Sequence, residues 1–110
     1  MFIRFPAMYS PMSIEEIRAE VTRIDEEIVS LIAQRQRLAG AIAAIKQKER
    51  IPVHDNQRKN AVLAYVMRRA QDHHVDPEPI KAIFETLIAM NEKEQRSALE
   101  KTAPHRRSSR

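Results

Sequence analysis

Two cationic side chains interrupt an otherwise apolar pattern. Arg35 falls where a spacing of three and four between aliphatic residues calls for Leu or Ile, and Lys46 follows eleven residues later. In a helix this is three turns, so both would point to nearly the same side, about 16 Å apart. An unpaired buried guanidinium costs several kcal/mol, so Arg35 pairs with an acid, sets a dimer register or binds an anion.

Lys46 favours the anion. The residues between the two cations on that side are small or aliphatic (Ala39, Ile42 and Ala43), so the pair could hold the two ends of a compact dianion. Taken alone, Lys46 is equally well explained as a solvated charge near the end of a helix, where cations are common.

Two carboxamides interrupt a second apolar stripe. The stripe that contains Phe84 and Leu87 continues at Asn91 and Gln95 instead of further aliphatic residues. These two residues are either hydrogen-bonded members of the core or neutral donors that point into the same cavity as the cations. The spacing leaves both interpretations open.

A long first helix must position the two cations. Ser13 suits the N-cap, Glu15 and Glu16 suit the first turn, and no breaker follows before Pro52, which predicts about 36 helical residues. The seam with heptad spacing consists of Ile14, Ile17, Val21, Ile24, Ile28, Leu31, Arg35, Leu38, Ile42 and Ile45. The other helices are too short to cover this seam, so we infer that it packs against a second copy in a homodimer.

Two shorter helices are predicted to follow. Asp55 is a suitable N-cap for a helix ending near Asp72, and Asp76 with Pro77 begins a third helix that runs to about Lys101. The residues predicted to be buried are Val62, Leu63, Val66, Met67 and Ala70 in the second helix, and Ile80, Ile83, Phe84, Leu87 and Ile88 in the third. We therefore predict an all-α fold with three helices per chain at 13–102, between a disordered lead at 1–12 and a basic, disordered tail at 103–110.

Composition narrows the function. The 110 residues include one Gly and no Cys, which disfavours Gly-rich phosphate loops and excludes disulfide scaffolds, Cys-ligated zinc and a thiol nucleophile. The net charge of +4 comes from the ends, since residues 13–102 hold 15 basic and 15 acidic side chains. Nucleic-acid binding is therefore not indicated.

We expect no metal, no cofactor and no membrane segment. His73 and His74 are adjacent and project in different directions, and the sequence contains no HExxH motif, nucleophile elbow or Gly-rich loop. No uninterrupted apolar run approaches the ~18 residues of a membrane span, and prolines interrupt the first twelve residues, unlike a secretory signal. A cytoplasmic location is the default expectation.

Three runs of sequence resemble a known family. They are IRAEVTRIDEEIVSLIAQRQRLAGAIAAIK at 17–46, IPVHDNQR at 51–58 and HHVDPEPIKAIFETLIAMNEKEQ at 73–95. In combination they closely resemble the all-helical chorismate mutases of the AroQ class, over about residues 13–99. The resemblance implies an intertwined homodimer that rearranges chorismate to prephenate in a unimolecular pericyclic step, without metal, covalent intermediate or general base.

The resemblance also implies a role for each matching residue. Arg18 would reach into the partner's site and bind one substrate carboxylate, while Arg35 of the home chain would bind the other. Lys46 would donate to the ether oxygen and a carboxylate, and Gln95 would be the second donor to the ether oxygen. Asn91 would contact a carboxylate.

The start of the second helix matches the family's substrate-side turn, with one departure. Asp55 and Arg58 agree with the pattern, but Lys59 stands where the family usually has a Glu that accepts a hydrogen bond from the substrate's ring hydroxyl. A cation cannot accept that bond. Either Lys59 donates to the hydroxyl, or another group serves it.

Two alternatives remain at this stage. One is an isochorismate pyruvate-lyase, an enzyme that resembles the same family in its fold. The 51–58 segment favours a mutase over such a lyase, and Lys59 weakens that preference. A non-enzymatic helical dimerisation module would explain the seam but not the inward positions of Arg35, Lys46, Asn91 and Gln95.

Overall fold

The structure is a computed structural model that describes residues 12–101. These residues form three helices without a strand: α1 (Ile14–Glu49), α2 (Asn56–Asp72) and α3 (Pro77–Lys101). The predicted all-α class with three helices per chain is therefore confirmed. The predictions of a disordered lead before residue 12 and a disordered tail after residue 102 concern residues outside the described ones.

The helices begin where their capping residues predict. Ser13 accepts a hydrogen bond from the Glu16 backbone N–H, and the Glu16 side chain accepts one from the Ser13 backbone, a reciprocal capping box. At α2 the Asp55 side chain accepts the Arg58 backbone N–H at 3.0 Å. Asp76 accepts the Glu78 backbone N–H at 3.0 Å at the start of α3. Each cap satisfies a backbone donor that has no partner within its own helix.

α1 ends before the predicted breaker Pro52. Arg50 adopts a left-handed conformation with φ 61°, and the Ile51 backbone N–H donates to the Lys46 carbonyl at 2.8 Å. α2 ends in the same way, with His74 at φ 60° and Val75 N–H donating to the Ala70 carbonyl. Both ends are Schellman motifs, built here without the usual glycine.

α3 lies between the other two helices and packs against both. The most enclosed residues of α1 are Ala39 and Ala43, whose exposed fractions are 2% and 0%. Small side chains at these positions let α3 approach α1 closely. Leu63 and Ala70 are the buried residues of α2, as its predicted face requires.

The predicted α3 stripe is partly buried in the single chain, except for one exposed residue. Ile83 is 52% exposed in the single chain, whereas its neighbour Phe84 is partly buried. Successive residues point about 100° apart around a helix, and the packed face of α3 is the one shared by Phe84, Ile88 and Gln95. Ile83 lies off that face.

Much of the α1 seam is uncovered in the single chain. Val21, Ile28 and Leu31 are about half exposed, and Leu38 is 63% exposed. By length and composition alone α1 also qualifies as a membrane span, with a mean hydropathy of 1.2 over an 18-residue window. Its aliphatic residues, however, form a seam along one side of the helix. Two cationic residues of the same helix, Arg35 and Lys46, line a cleft. We therefore interpret the seam as a protein-packing surface.

Candidate active site

A cleft of about 300 Å³ lies between the C-terminal half of α1, the segment that leads into α2, and α3. It collects seven of the eight residues that the sequence analysis singled out: Arg35, Lys46, Asp55, Arg58, Lys59, Asn91 and Gln95. Ala39 and Ile42 line the cleft between the two α1 cations, as expected, whereas Ala43 is buried and does not line it. The eighth residue, Arg18, lies outside it.

Arg35 is held in place by residues of α3 and α1. Its guanidinium donates to Asn91 Oδ1 and lies 5.8 Å from the centre of the Phe84 ring, within cation–π range. The Asn91 amide in turn donates to Gln36 Oε1. Among residues 12–101 Arg35 has no carboxylate partner, so the paired-acid explanation of its position finds no support there.

Lys46 lies in the last turn of α1 and reaches the segment before α2. Its ammonium donates to the Val53 carbonyl at 2.8 Å and is partly buried. A lysine ammonium has three donors, so two are free to bind a ligand. Val53 also lines the cleft. Side-chain patterns in the sequence could not have indicated its contact with Lys46, because the acceptor is a backbone carbonyl.

Gln95 is the buried polar side chain of α3, with an exposed fraction of 6%. Its Oε1 atom is enclosed and has no hydrogen-bond partner in the described part of the chain. A buried polar atom without a partner is costly, and Oε1 is an acceptor, so the acceptor atoms of a ligand cannot satisfy it. With Oε1 enclosed, the Nε2 amide is the group available to donate.

His54 and Glu92 are two residues that the sequence reasoning missed. Glu92 lines the cleft, and its Oε2 accepts a hydrogen bond from His54 Nδ1 at 3.0 Å. His54 Nε2 lies 3.0 Å from Asn56 Oδ1. Its spacing from Gln95 could have indicated Glu92, because a residue three places before Gln95 lies on a neighbouring face of the same helix.

The charges of the cleft suit an anion. Four cationic side chains line it, against the carboxylates of Asp55 and Glu92, which leaves a formal excess of two positive charges. None of the four cations forms an ion pair within residues 12–101. Asp55 is engaged in capping α2, and Glu92 in its contact with His54. A small dianion would therefore match the excess charge.

Arg18 lies far from this cleft on the same helix. It is exposed in the first half of α1, seventeen residues or about 25 Å before Arg35. Seventeen helical steps also turn the two side chains about 100° apart. The described chain therefore does not bring Arg18 to its own cleft.

Comparison with known proteins identifies the family. A family model described as chorismate mutase type II matches residues 17–96. The chain is 36% identical over 87 residues to a chorismate mutase of Methanocaldococcus jannaschii, which covers 79% of this chain and 88% of the relative. The chain belongs to the type II chorismate mutases. The resemblance inferred from the motifs is thereby confirmed.

Two further relatives are longer proteins than this chain. The chain is 28% identical over 86 residues to a secreted chorismate mutase of Mycobacterium tuberculosis, and spans 43% of its length. It is 38% identical over 55 residues, half of this chain, to a bifunctional chorismate mutase/prephenate dehydratase of Aquifex aeolicus, and spans 15% of that protein. The shared helices thus occur both alone and within larger chains.

In the described part of this chain, no group of three or more His, Asp or Glu side chains is arranged to hold a metal ion. The roles that the resemblance assigns to the eight site residues stay predictions. What the geometry adds is that seven of them share one cleft.

Proposed function

We propose that this chain rearranges chorismate to prephenate in the cleft between α1, α2 and α3. The observation that carries the proposal is the convergence of Arg35, Lys46 and Gln95 on one small cleft in a chain of this family. Chorismate carries two carboxylates, an ether oxygen and one ring hydroxyl. Its charge of minus two matches the excess positive charge of the cleft.

Positioning supplies one part of the rate enhancement. The rearrangement requires the enolpyruvyl side chain to fold over the ring, and guanidinium groups that hold both carboxylates favour this compact shape. Arg35 is preorganised for this task by Asn91 and Phe84. Arg58, at the start of α2, also lines the cleft.

Electrostatic stabilisation supplies the other part. As the C–O bond breaks, negative charge grows on the ether oxygen, and fixed donors aimed at that atom stabilise the transition state more than the ground state. Lys46 and Gln95 are suited to this role, because both line the cleft, one is cationic, and the other carries an amide N–H₂ group that can donate. The step needs no proton transfer, so none is assigned to a side chain.

We further propose that two chains form the functional unit as an intertwined homodimer. The uncovered α1 seam supports this, since burial of the exposed half of each large aliphatic side chain favours association by about 1 kcal/mol. The position of Arg18 supports it too. In an antiparallel or crossed arrangement of two α1 helices, Arg18 could complete the partner's cleft, which it does not reach within its own chain.

The direct test is turnover by the purified protein and its variants. Lys46→Ala and Arg35→Ala should each lower kcat/KM for chorismate by about 10²–10³-fold or more, because each removes a charge aimed at the substrate. Lys48→Ala is the matched control: it removes the same charge from the exposed face of the same turn of α1, outside the cleft.

Two results would contradict the proposal. One is that the wild-type chain, folded and helical, produces no prephenate from chorismate. The other is that Lys46→Ala and Lys48→Ala retain equal activity. Incubation with isochorismate serves as the companion assay, because formation of salicylate and pyruvate without any prephenate from chorismate would assign the cleft to a lyase.

A further inference from the structure

The cleft contains a carboxylate that the functional assignment has not used. Glu92 projects from α3 into the lining of the cleft, and its side chain is 17% exposed. An anionic side chain in a binding site for a dianion repels the ligand unless it accepts a hydrogen bond from it. Glu92 therefore requires an explanation.

The donors and acceptors of substrate and cleft can be matched. The carboxylates and ether oxygen of chorismate only accept hydrogen bonds, and the cationic and amide groups of the cleft donate to them. The ring hydroxyl is the one donor of the dianion, so it needs an acceptor. The Lys59 ammonium has no acceptor atom. Gln95 Oε1 is an acceptor, but it is enclosed.

The two carboxylates that line the cleft each have one engaged oxygen, and they differ in what engages it. Asp55 accepts the Arg58 backbone N–H through Oδ1 as the cap of α2, so a shift of Asp55 toward a ligand would disturb the start of that helix. Glu92 uses one oxygen, Oε2, for the hydrogen bond from His54, and Oε1 has no partner in the described residues. Glu92 thus has a free acceptor and a fixed position, because His54 lies in the segment before α2 and ties that segment to α3.

We infer that Glu92 accepts the hydrogen bond of the substrate's ring hydroxyl and that His54 is its positioning residue. This inference rests on the proposed function and names one contact within it. The carboxylate that the family usually supplies at position 59 is thus supplied from α3, and the His54–Glu92 pair makes the cleft selective for a ring that carries a hydroxyl donor.

The test compares two substrates: chorismate and its analogue in which the ring hydroxyl is replaced by hydrogen. Both retain the carboxylates and the ether that rearranges. The measured quantity is the ratio of their kcat/KM values. The wild type should prefer chorismate by about 10–100-fold, as expected for a hydrogen bond to a charged acceptor, and Glu92→Gln should lose most of that preference.

Control variants isolate the contact from general charge and folding effects. Glu85→Gln removes one carboxylate from an exposed position of α3 outside the cleft, and should leave the ratio unchanged. Glu92→Asp keeps the charge but withdraws the oxygens by one methylene, so it should lower the ratio. His54→Ala should lower it less than Glu92→Gln does, because it frees the carboxylate without removing it.

The outcomes separate this inference from the proposed function. If Glu92→Gln changes kcat/KM equally for both substrates, or if Glu92→Asp and His54→Ala both keep the wild-type ratio, Glu92 does not contact the hydroxyl. Either result leaves mutase activity of the wild type in place. If the wild type converts neither substrate, the proposed function itself fails.

Discussion

At the scale of single residues, the cleft is held together by polar contacts that exist before any substrate binds. Asn91 accepts from Arg35 and donates to Gln36, so one amide joins α3 to two successive residues of α1. A guanidinium fixed in this way loses less conformational freedom on binding a carboxylate. Asn91 therefore positions the Arg35 guanidinium, which is a different role from the substrate-carboxylate contact that the family resemblance implies for it.

Gln95 provides a test of the charge that develops on the ether oxygen. In the variant Gln95→Glu, the introduced carboxyl can donate to that oxygen only when it is protonated, whereas its ionised form would repel the growing negative charge. We expect an activity that is greatest at acidic pH and falls as the pH rises through the pKa of the introduced group. Measurement of kcat/KM between pH 4.5 and 8.5 checks this expectation, because this window begins near the ordinary Glu pKa of about 4.3 and includes the higher values that burial produces.

The comparison proteins for this prediction are the wild type and Gln71→Glu. Neither has a titrating group at the ether oxygen, because Gln71 lies exposed on α2 outside the cleft. Their profiles should therefore lack the steep loss. A Gln95→Glu enzyme that remains as active as the wild type at pH 8 would mean that Gln95 does not donate to the ether oxygen.

The sequence indicated most of the cleft, for a physical reason. Polar residues at positions where helical spacing calls for apolar ones are costly unless they have a use, so Arg35, Asn91 and Gln95 stood out. Glu92 and His54 did not, because a Glu on a helix and a His in a connecting segment are ordinary at a surface. The pairing of residues 38 positions apart becomes visible only once the helices are packed.

At the scale of the elements, the predicted starts and ends of the three helices both agree with the structure, but only the starts were predicted from the residues that form them. Ser13, Asp55 and Pro77 are residues with strong positional preferences, and the structure begins its helices at them. The ends use a left-handed residue, and this position usually shows itself as Gly. Because Arg50 and His74 occupy these places, the ends were predicted from Pro52 and from the short linker, which gave the right bounds but not the left-handed residues.

The end of α1 predicts a simple stabilising change. Arg50→Gly should raise the free energy of unfolding by about 0.5–1 kcal/mol, because a side chain at φ 61° carries a steric cost that Gly avoids. Equilibrium urea unfolding, followed by the helical circular dichroism signal at one fixed protein concentration, measures the effect.

Lys48→Gly is the matched control for this change. It introduces the same residue two positions earlier, at a helical conformation, where Gly should cost about 1 kcal/mol. The two variants should thus shift the urea midpoint in opposite directions. If Arg50→Gly destabilised the protein as much as Lys48→Gly does, the left-handed end of α1 would carry no strain.

At the scale of the whole molecule, one chain leaves two things incomplete. The aliphatic seam of α1 is largely uncovered, and Arg18 lies about 25 Å along the helix from the cleft of its own chain. In the proposed two-fold symmetric homodimer, each α1 would cover the other's seam and each Arg18 would reach the other's cleft. The heptad spacing alone predicted that the α1 seam needs a partner. The role of Arg18 in the partner's cleft was predicted only from the family resemblance.

A mixing experiment tests whether active sites are shared between chains. We expect Arg18→Ala and Lys46→Ala each to be nearly inactive alone. In a mixed dimer one site combines the intact cleft of the Arg18→Ala chain with Arg18 from the Lys46→Ala chain, and is complete. Random pairing of equal amounts gives half mixed dimers with one complete site each, so unfolding and refolding the two together should restore about a quarter of the wild-type activity.

The matched control is the pair Arg35→Ala and Lys46→Ala. Both residues line the cleft of their own chain, so every site in a mixed dimer lacks one of them and no activity should return. Recovery with the first pair but not with the second requires that Arg18 acts across the dimer while Arg35 and Lys46 act within one chain. If neither pair recovers activity although mixed dimers form, each site is confined to a single chain, and the uncovered seam must serve association alone.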